Sequence, residues 1–263
     1  MDKVEEMVLA IENLKVCYGK NKDAIEAVKG IDLQIQKGRI CALVGESGSG
    51  KSAVALSIAK LLDYPGRITD GKIYLHGQDL QQLSRRKLRS LLGKEIGMVF
   101  QDPFDSLNPR MKIGQMVLEA LYPHKPFYTK LDREEAVLAL AKMQLPYPEK
   151  LMNQYAYQLS GGMCQRVMIA IAMAQKPQLL IADEPTTALD VTVQAEILKE
   201  LLELKEVHHT AILFITHDLR VVAELADDVY VMKDGEIVES CCVETLFASP
   251  KQDYTKELLD SML

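Results

Sequence analysis

The stretch ALVGESGSGKSAVALSIAK, from Ala42 to Lys60, joins an apolar run to a glycine-rich turn and then to a helical pattern. Its centre, Gly45 to Ser52, has the spacing G-x-x-x-x-G-K-[ST] of a loop that wraps phosphate. Glycine lets such a loop turn its amide N–H groups inward around phosphate oxygens with no Cβ in the way. Lys51 is then placed to reach the β- and γ-phosphates and Ser52 to ligate Mg²⁺. A helix starting near Gly50 adds its positive dipole end. The candidate nucleotide-binding residues are therefore Gly45, Glu46, Ser47, Gly48, Ser49, Gly50, Lys51, Ser52 and Ala53. The loop alone leaves open whether the nucleotide is ATP or GTP, and whether phosphate goes to water or to another molecule.

The run LLIADE brings Asp183 and Glu184 to the end of an apolar strand. Asp183 is suited to the Mg²⁺ shell and Glu184 to polarising a water for in-line attack, which points to hydrolysis. TKLD, Thr129 to Asp132, resembles the guanine-reading motif of GTPases, but it precedes the Asp183 strand. The chain also continues DEPT where a D-x-x-G would be needed. A small-molecule kinase would leave Glu184 without a purpose.

The chain has 263 residues, 48% of them hydrophobic, enough for one domain with a substantial core and an inserted subdomain. A formal charge of -6 argues against a dominant nucleic-acid surface, which needs concentrated positive charge. Cys17, Cys41, Cys164, Cys241 and Cys242 contain no Cys-x-x-Cys pair and suit a reducing cytosol. The N-terminus carries acids where a secretion signal carries a basic patch, and VMIAIAMA, Val167 to Ala174, is too short to span a bilayer. A soluble protein, or one that reaches a membrane through a partner, is expected.

Partial alternation of apolar and polar residues over Val8 to Tyr18, Ile31 to Gln36 and Gly71 to Gly77 predicts an antiparallel sheet. ICALVG, LLIAD and AILFIT are continuous apolar runs, as expected of parallel strands buried on both faces. Ligands of such a sheet sit at the carboxyl ends of its strands. Between about Pro103 and Lys176 helical periods prevail, which predicts a helical insertion between two strands.

LSGGMCQRVMIAIAMAQ begins at Leu159, about twenty residues before the acidic strand end. Ser160, Gly161 and Gly162 precede a helical pattern and make a second set of exposed amides at a helix N-terminus. A second anion site makes sense if it closes over a nucleotide held by another subunit. On these motifs, in this order and over nearly its full length, the chain resembles the ATP-binding subunits of ABC transporters. The resemblance implies an α/β fold: a P-loop NTPase (RecA-like) ABC ATPase core with an antiparallel β subdomain and an inserted helical subdomain. One domain over 1–263 is expected, with the core at 1–102 and 177–263 and the helical part at 103–176.

The same resemblance assigns roles. Tyr18 would stack on adenine, and Gln101 in FQDP would contact Mg²⁺ and water and sense the membrane subunit. Leu159 to Gln165 would complete the site in trans through Ser160, Gly161, Gly162 and Gln165. Asp190, ending the ALD turn, would face the other subunit, and His217 in ITHD would contact the γ-phosphate. Catalysis would fall to Glu184, His217, Lys51 and Gln101, and the metal to Ser52, Gln101 and Asp183. The signature departs from its usual form at Met163 and at Cys164, where an arginine is usual and whose loss would weaken the trans contact.

QDPFDSLNPRMKIG, from Gln101, and SPKQDYTKELLDSM near the end are similar to ATPases of dipeptide, oligopeptide and nickel uptake systems. A stop at Leu263 tilts the expectation towards nickel or a nickel-chelate. The implied cofactors are ATP and Mg²⁺. The implied partners are a second ATPase subunit, two integral-membrane permeases and, through the complex, an extracytoplasmic binding protein. The implied location is the cytoplasmic face of the cell membrane. The alternative is a soluble ABC ATPase of repair or translation, although the coiled-coil or zinc insertions and the doubled ATPase halves of those types do not occur here. A non-hydrolysing regulatory subunit is disfavoured by Glu184 and His217. His208-His209 is too small a ligand set for a metal site, and Cys241-Cys242 reads as packing or turn chemistry.

Overall fold

The computed structural model describes residues 6–19, 24–186 and 189–260. Two sheets organise them. The first, antiparallel, has the order β2-β1-β4-β5, with β1 Met7–Tyr18, β2 Ile25–Gln36, β4 Arg67–Leu75 and β5 Gln78–Asp79. The second has the order β10-β9-β3-β8-β7-β6. Its strands are β3 Ile40–Val44, β6 Ile96–Val99, β7 Leu179–Asp183, β8 Ala211–Thr216, β9 Asp228–Lys233 and β10 Glu236–Cys242. Only the β9–β10 hairpin departs from parallel pairing in this sheet.

The three continuous apolar runs are β3, β8 and β7, adjacent at the centre of the parallel sheet and buried at every position. Their period-2 geometry divides them between two cores. Ile40, Ala42, Val44, Leu180, Ala182, Ile212 and Phe214 face one core, while Cys41, Leu43, Leu179, Ile181, Leu213 and Ile215 face the other. The second core is closed by the antiparallel sheet and by helix α1, Lys51–Ala59. Seven of the nine residues of α1 are buried, because the helix is sandwiched between sheets instead of lying on a surface. Ser57 meets that burial by donating its hydroxyl to the Ala53 carbonyl at 2.6 Å.

The first core is closed by helices inserted between β6 and β7, after the short α2, Arg85–Leu91. They are α3 Pro103–Ser106, α4 Ile113–Leu121, α5 Lys130–Lys142, α6 Pro148–Leu151 and α7 Gly161–Met173. TKLD proves to be the start of α5: Thr129 and Asp132 form a reciprocal capping box, the Asp132 carboxylate accepting the Thr129 N–H at 2.7 Å. The hydrogen bond from Lys125, 2.5 Å away, followed by those from Thr129, holds the Asp132 carboxyl down at about 2. That capping role accounts for the four residues without any guanine. On the same face as α7 lie α8 Val191–His208 and α9 Leu219–Leu225, and α10 Val243–Ala248 and α11 Asp253–Asp260 follow β10.

The antiparallel sheet extends further than the alternation predicts. β2 starts at Ile25, where Gly30 at φ +92° interrupts the pattern, and β4 starts at Arg67, whose first residues are mostly exposed and polar. β6 escapes periodicity because it is four residues long and contains Gly97. There α7 comes so close that a Cβ would lie 2.5 Å from the Ala172 carbonyl oxygen. Phe214, 1% exposed in the middle of β8, is the largest fully buried side chain. Phe214→Ala is expected to destabilise the fold by about 3–5 kcal/mol in chemical denaturation, and a loss well under 1 kcal/mol would contradict this placement of the core.

Candidate active site

The carboxyl ends of β3, β8 and β7 lie side by side, with Val44 opposite Thr216 and Asp183 opposite Ile215, and each delivers part of one site. After Val44 the chain turns at Gly45, φ +153°, where a Cβ would stand 2.1 Å from the Met232 carbonyl oxygen. Only glycine fits there. The loop then feeds α1, whose N-terminus carries no side-chain cap, so its first-turn amides face the loop's interior. The Lys51 ammonium donates to the carbonyls of Gly45 at 2.8 Å and Glu46 at 2.7 Å and to the Ser49 hydroxyl at 3.3 Å. Burial lowers the Lys51 pKa, opposed by the carboxylates of Glu184, Asp183 and Glu46.

At the end of β7, Asp183 is 5% exposed and its Oδ1 has no hydrogen-bond partner. Burial pushes its carboxyl up, opposed by a hydrogen bond from the Ser52 hydroxyl and assisted by the Glu184 charge. A buried, half-satisfied carboxylate beside a hydroxyl is a hard-oxygen donor set, so the residues fit Mg²⁺.

Glu184 adopts a left-handed backbone, φ +48°. Its N–H donates to the Ile215 carbonyl at 2.9 Å, continuing the ladder one residue past the strand. Its carboxylate meets two other site residues: Oε1 lies 3.2 Å from His217 Nδ1, and Oε2 accepts from Gln101 Nε2 at 3.4 Å. Together with Val44, Gly45, Glu46, Ser47, Leu219 and Leu258, these three line one cavity of about 430 Å³. Gln101, 83 positions before Glu184, and His217, 33 positions after it, thus converge on one carboxylate at the mouth of the glycine loop.

Other sequence candidates lie elsewhere. Ser160 is exposed and caps α7, its hydroxyl accepting the Met163 N–H at 3.4 Å, and neither it nor Gly161 nor Gly162 lines the cavity. Asp190 caps α8 through the Val193 N–H at 3.0 Å, whereas Ala188 of the same turn lies outside the described residues. Tyr18, at the end of β1, packs so tightly on Gly66 that a Cβ there would lie 2.6 Å from Cε1 of the ring. Gln165, expected to touch nucleotide, is 1% exposed and turned inward. Its amide donates to the carbonyls of Glu184 at 3.2 Å and Pro185 at 2.6 Å. Cys164 is also fully buried, its thiol donating to the Ala156 carbonyl at 3.3 Å. Where an arginine is usual, this chain therefore holds a buried thiol.

Sequence reasoning misses Gln165 as a brace for Glu184, although a glutamine on the apolar stripe of α7 is a readable sign. It also misses Tyr254 and Leu258, which reach the loop from α11. Around His208 and His209, as elsewhere among the described residues, no group of three or more His, Cys, Asp or Glu could hold a metal ion.

The family model for ABC transporter matches residues 28–187. The chain belongs to the ABC transporter family. The oligopeptide transport ATP-binding protein OppD of Bacillus subtilis (strain 168) is 46% identical over 256 residues, 97% of this chain and 72% of that protein. The dipeptide transport ATP-binding protein DppD of Escherichia coli (strain K12) is 44% identical over 255 residues, 97% of this chain and 78% of that protein. Among solved structures, the dimeric post-hydrolysis ATP-binding cassette MJ0796 bound to ADP and Pi superposes with TM-score 0.81 at 29% identity, covering 89% of this chain and 98% of its own. The cassette cbiO1 of Clostridium perfringens gives TM-score 0.74 at 30% identity, over 98% of this chain and 95% of its own. This ABC cassette is an ATPase.

The raised pKa of Asp183 has a definite sign in stability. A carboxyl whose pKa is higher folded than unfolded favours the fold when protonated, so its contribution falls as pH rises above the ordinary value of 3.8. In buffer without nucleotide or divalent metal, Asp183→Asn is therefore expected to raise Tm at pH 7, with the gain shrinking below pH 4. A variant less stable than the parent at pH 7 would refute that assignment.

Proposed function

We propose that this chain is the ATP-hydrolysing subunit of an importer for di- or oligopeptides, acting as a pair of cassettes on two membrane permeases. The observation that carries the mechanism is the clustering of Gln101, Glu184 and His217 around the mouth of the Gly45–Ser52 loop. The names of the relatives support the peptide cargo; the tilt towards nickel has no counterpart in them, and a non-transport ATPase is not favoured by them either.

In this reading ATP phosphates lie in the loop, with Lys51 exchanging the carbonyls of Gly45 and Glu46 for β- and γ-phosphate oxygens. Ser52, Asp183 and Gln101 would hold Mg²⁺, whose charge offsets that of the phosphates. Glu184 accepts a proton from the attacking water, and His217 and Lys51 stabilise charge on the γ-phosphate. The neighbour would supply the remaining wall: Ser160 is exposed and Gly161 and Gly162 are half-buried at the N-terminus of α7, away from this chain's own cavity, and would close on the partner's nucleotide. Asp190 would face the same junction, and Tyr18 would stack on adenine. The dimeric arrangement of MJ0796 is in keeping with such a pair.

The permease contact is read from a groove of about 840 Å³ beside Phe100, directly before Gln101. Leu61, Leu92, Met98, Pro123 and Ile171 give it apolar lining, and among its charged residues Arg86, Arg89 and Lys94 outnumber Glu119. A short membrane-protein helix with an apolar face and acidic flank fits those properties. Residues 103–176 would then move as a helical unit against a core of 1–102 and 177–263. No helix among the described residues is long and apolar enough to cross a membrane. As a partner of permeases, the chain would sit peripherally on the cytoplasmic side, with an extracytoplasmic binding protein delivering peptide to the complex.

In the reconstituted complex, Glu184→Gln should retain ATP binding and lower turnover by a factor on the order of 10² or more; near-normal turnover would remove Glu184 from the base role. Leu61, 43% exposed in the groove, offers a separate test. Leu61→Asp should reduce co-purification with the permeases by a factor of about five or more, with unchanged recovery assigning the contact elsewhere. Uptake of labelled dipeptides without uptake of nickel would support the cargo, and the reverse would overturn it.

A further inference from the structure

Two elements outside the phosphate motif enclose the beginning of the loop. From the β9–β10 hairpin, the Gly235 N–H donates to the Ser49 carbonyl at 3.0 Å, and the Met232 carbonyl abuts Gly45. From the opposite end of the chain, α11 brings the Tyr254 hydroxyl to the Glu46 N–H, which it accepts at 3.1 Å. Tyr254 is only 8% exposed, and the Lys233 ammonium stands 4.3 Å from its ring centroid. One turn further along α11, Leu258 lines the cavity that also contains Gly45, Glu184 and His217.

The seat of α11 is a single buried carboxylate. Glu239 on β10, 8% exposed, accepts the N–H groups of Lys251 at 2.9 Å and Gln252 at 3.0 Å and the Thr255 hydroxyl at 2.6 Å. Burial raises its pKa, but the bonds from Thr255, Lys251 and Gln252 outweigh that and keep it below the ordinary carboxylate value. An ionised group with three donors therefore fixes where α11 begins, and the helix fixes where the phenol lies.

We propose that Tyr254 is a positioning residue of the ATPase site, setting the entry to the phosphate loop through the Glu46 amide, and that Glu239 acts through it by seating α11. The inference rests on the reading of Gly45–Ser52 as the phosphate loop. A loop that must present several amides to one ligand gains affinity when its first peptide planes are already oriented. Apparent affinity falls in proportion to the fraction of loops in the competent form. The effect belongs to ATP affinity and KM, since Tyr254 touches no reacting atom.

The test uses the full chain, alone for Mg·ATP binding and with its permeases for turnover. Tyr254→Phe keeps the ring and its Lys233 contact and removes only the hydroxyl. It should raise the ATP Kd and KM by about 3- to 10-fold, with kcat within about twofold and Tm unchanged. Glu239→Ala should raise Kd at least as much and speed amide exchange in Asp253–Asp260, and the double variant should bind no more weakly than Glu239→Ala. A Tyr254→Phe variant with the parent's Kd and KM, or two effects that multiply, overturns the proposal while leaving the phosphate loop intact. If instead Lys51→Ala binds Mg·ATP as tightly as the parent, the phosphate-loop reading itself falls.

Discussion

Between α7 and the end of β7 runs one side-chain amide: Gln165 Nε2 donates to the carbonyls of Glu184 and Pro185, at 3.2 and 2.6 Å. Those two carbonyls belong to a backbone that has just left the sheet, where a non-glycine residue at φ +48° carries a conformational cost of about 1 kcal/mol or more. With the Glu184 N–H held by Ile215 and its carbonyl held by Gln165, the left-handed turn is fixed from both sides. The turn aims the Glu184 carboxylate at His217 and Gln101. The helix that supplies the brace is the one capped at its N-terminus by exposed Ser160. A helix is stiff over 13 residues, so in the proposed pair a partner's nucleotide drawing on the N-terminus of α7 would be joined to the carboxylate beside this chain's own loop through a few bonds.

Burial and charge divide the work within the site. Asp183 and Lys51 are 5% and 6% exposed, and burial weakens the charged form of each: the acid is pushed up and the ammonium down. Both shifts are unfavourable for a protein without phosphate or metal, and both are relieved by ligands of the opposite sign. His217, by contrast, is exposed, and Glu184 stands between the two environments. In the proposed mechanism the residues that would hold the nucleotide are thus sequestered and those that would act on water are placed at the mouth.

The residues that could be read from sequence lie in contiguous runs whose chemistry is local. A glycine loop between strand and helix, a strand ending in two acids, and a serine and two glycines before a helix each carry their meaning within about ten residues. The doubly buried strands were legible for the same reason, since burial on both faces leaves no polar position in Ile40–Val44 or Ala211–Thr216 until the strand ends. The bracing role of Gln165 and the part of Tyr254 and Leu258 in the site are harder to read, because Gln165 acts on Glu184, 19 positions on, and Tyr254 on Glu46, 208 positions back, with Leu258 beside the same loop. Cys164 misleads in the opposite direction: it follows exposed Ser160 closely in sequence, yet one turn into α7 its thiol is in the core, donating to the Ala156 carbonyl. TKLD is a similar case, a four-residue pattern whose polar groups are consumed by capping α5.

The last residues described help to build a loop near the first third of the chain, and the reason is topological. In the strand order β10-β9-β3, β10 runs back antiparallel and ends at Cys242, level with Asp228 and Cys41, but Glu239 pairs with Val231 and Val231 with Val44, so a chain that returns through α10 to Glu239 arrives beside the strand end that launches the phosphate loop. Burying Glu239 there has a cost that only well-placed donors offset, and α11 supplies them from its own beginning. The helix cannot slide along β10 without stripping those donors from an ionised, buried group. Its register, and with it the height of Tyr254 over the Glu46 amide, is therefore set by electrostatics in the sheet rather than by any residue of the phosphate motif.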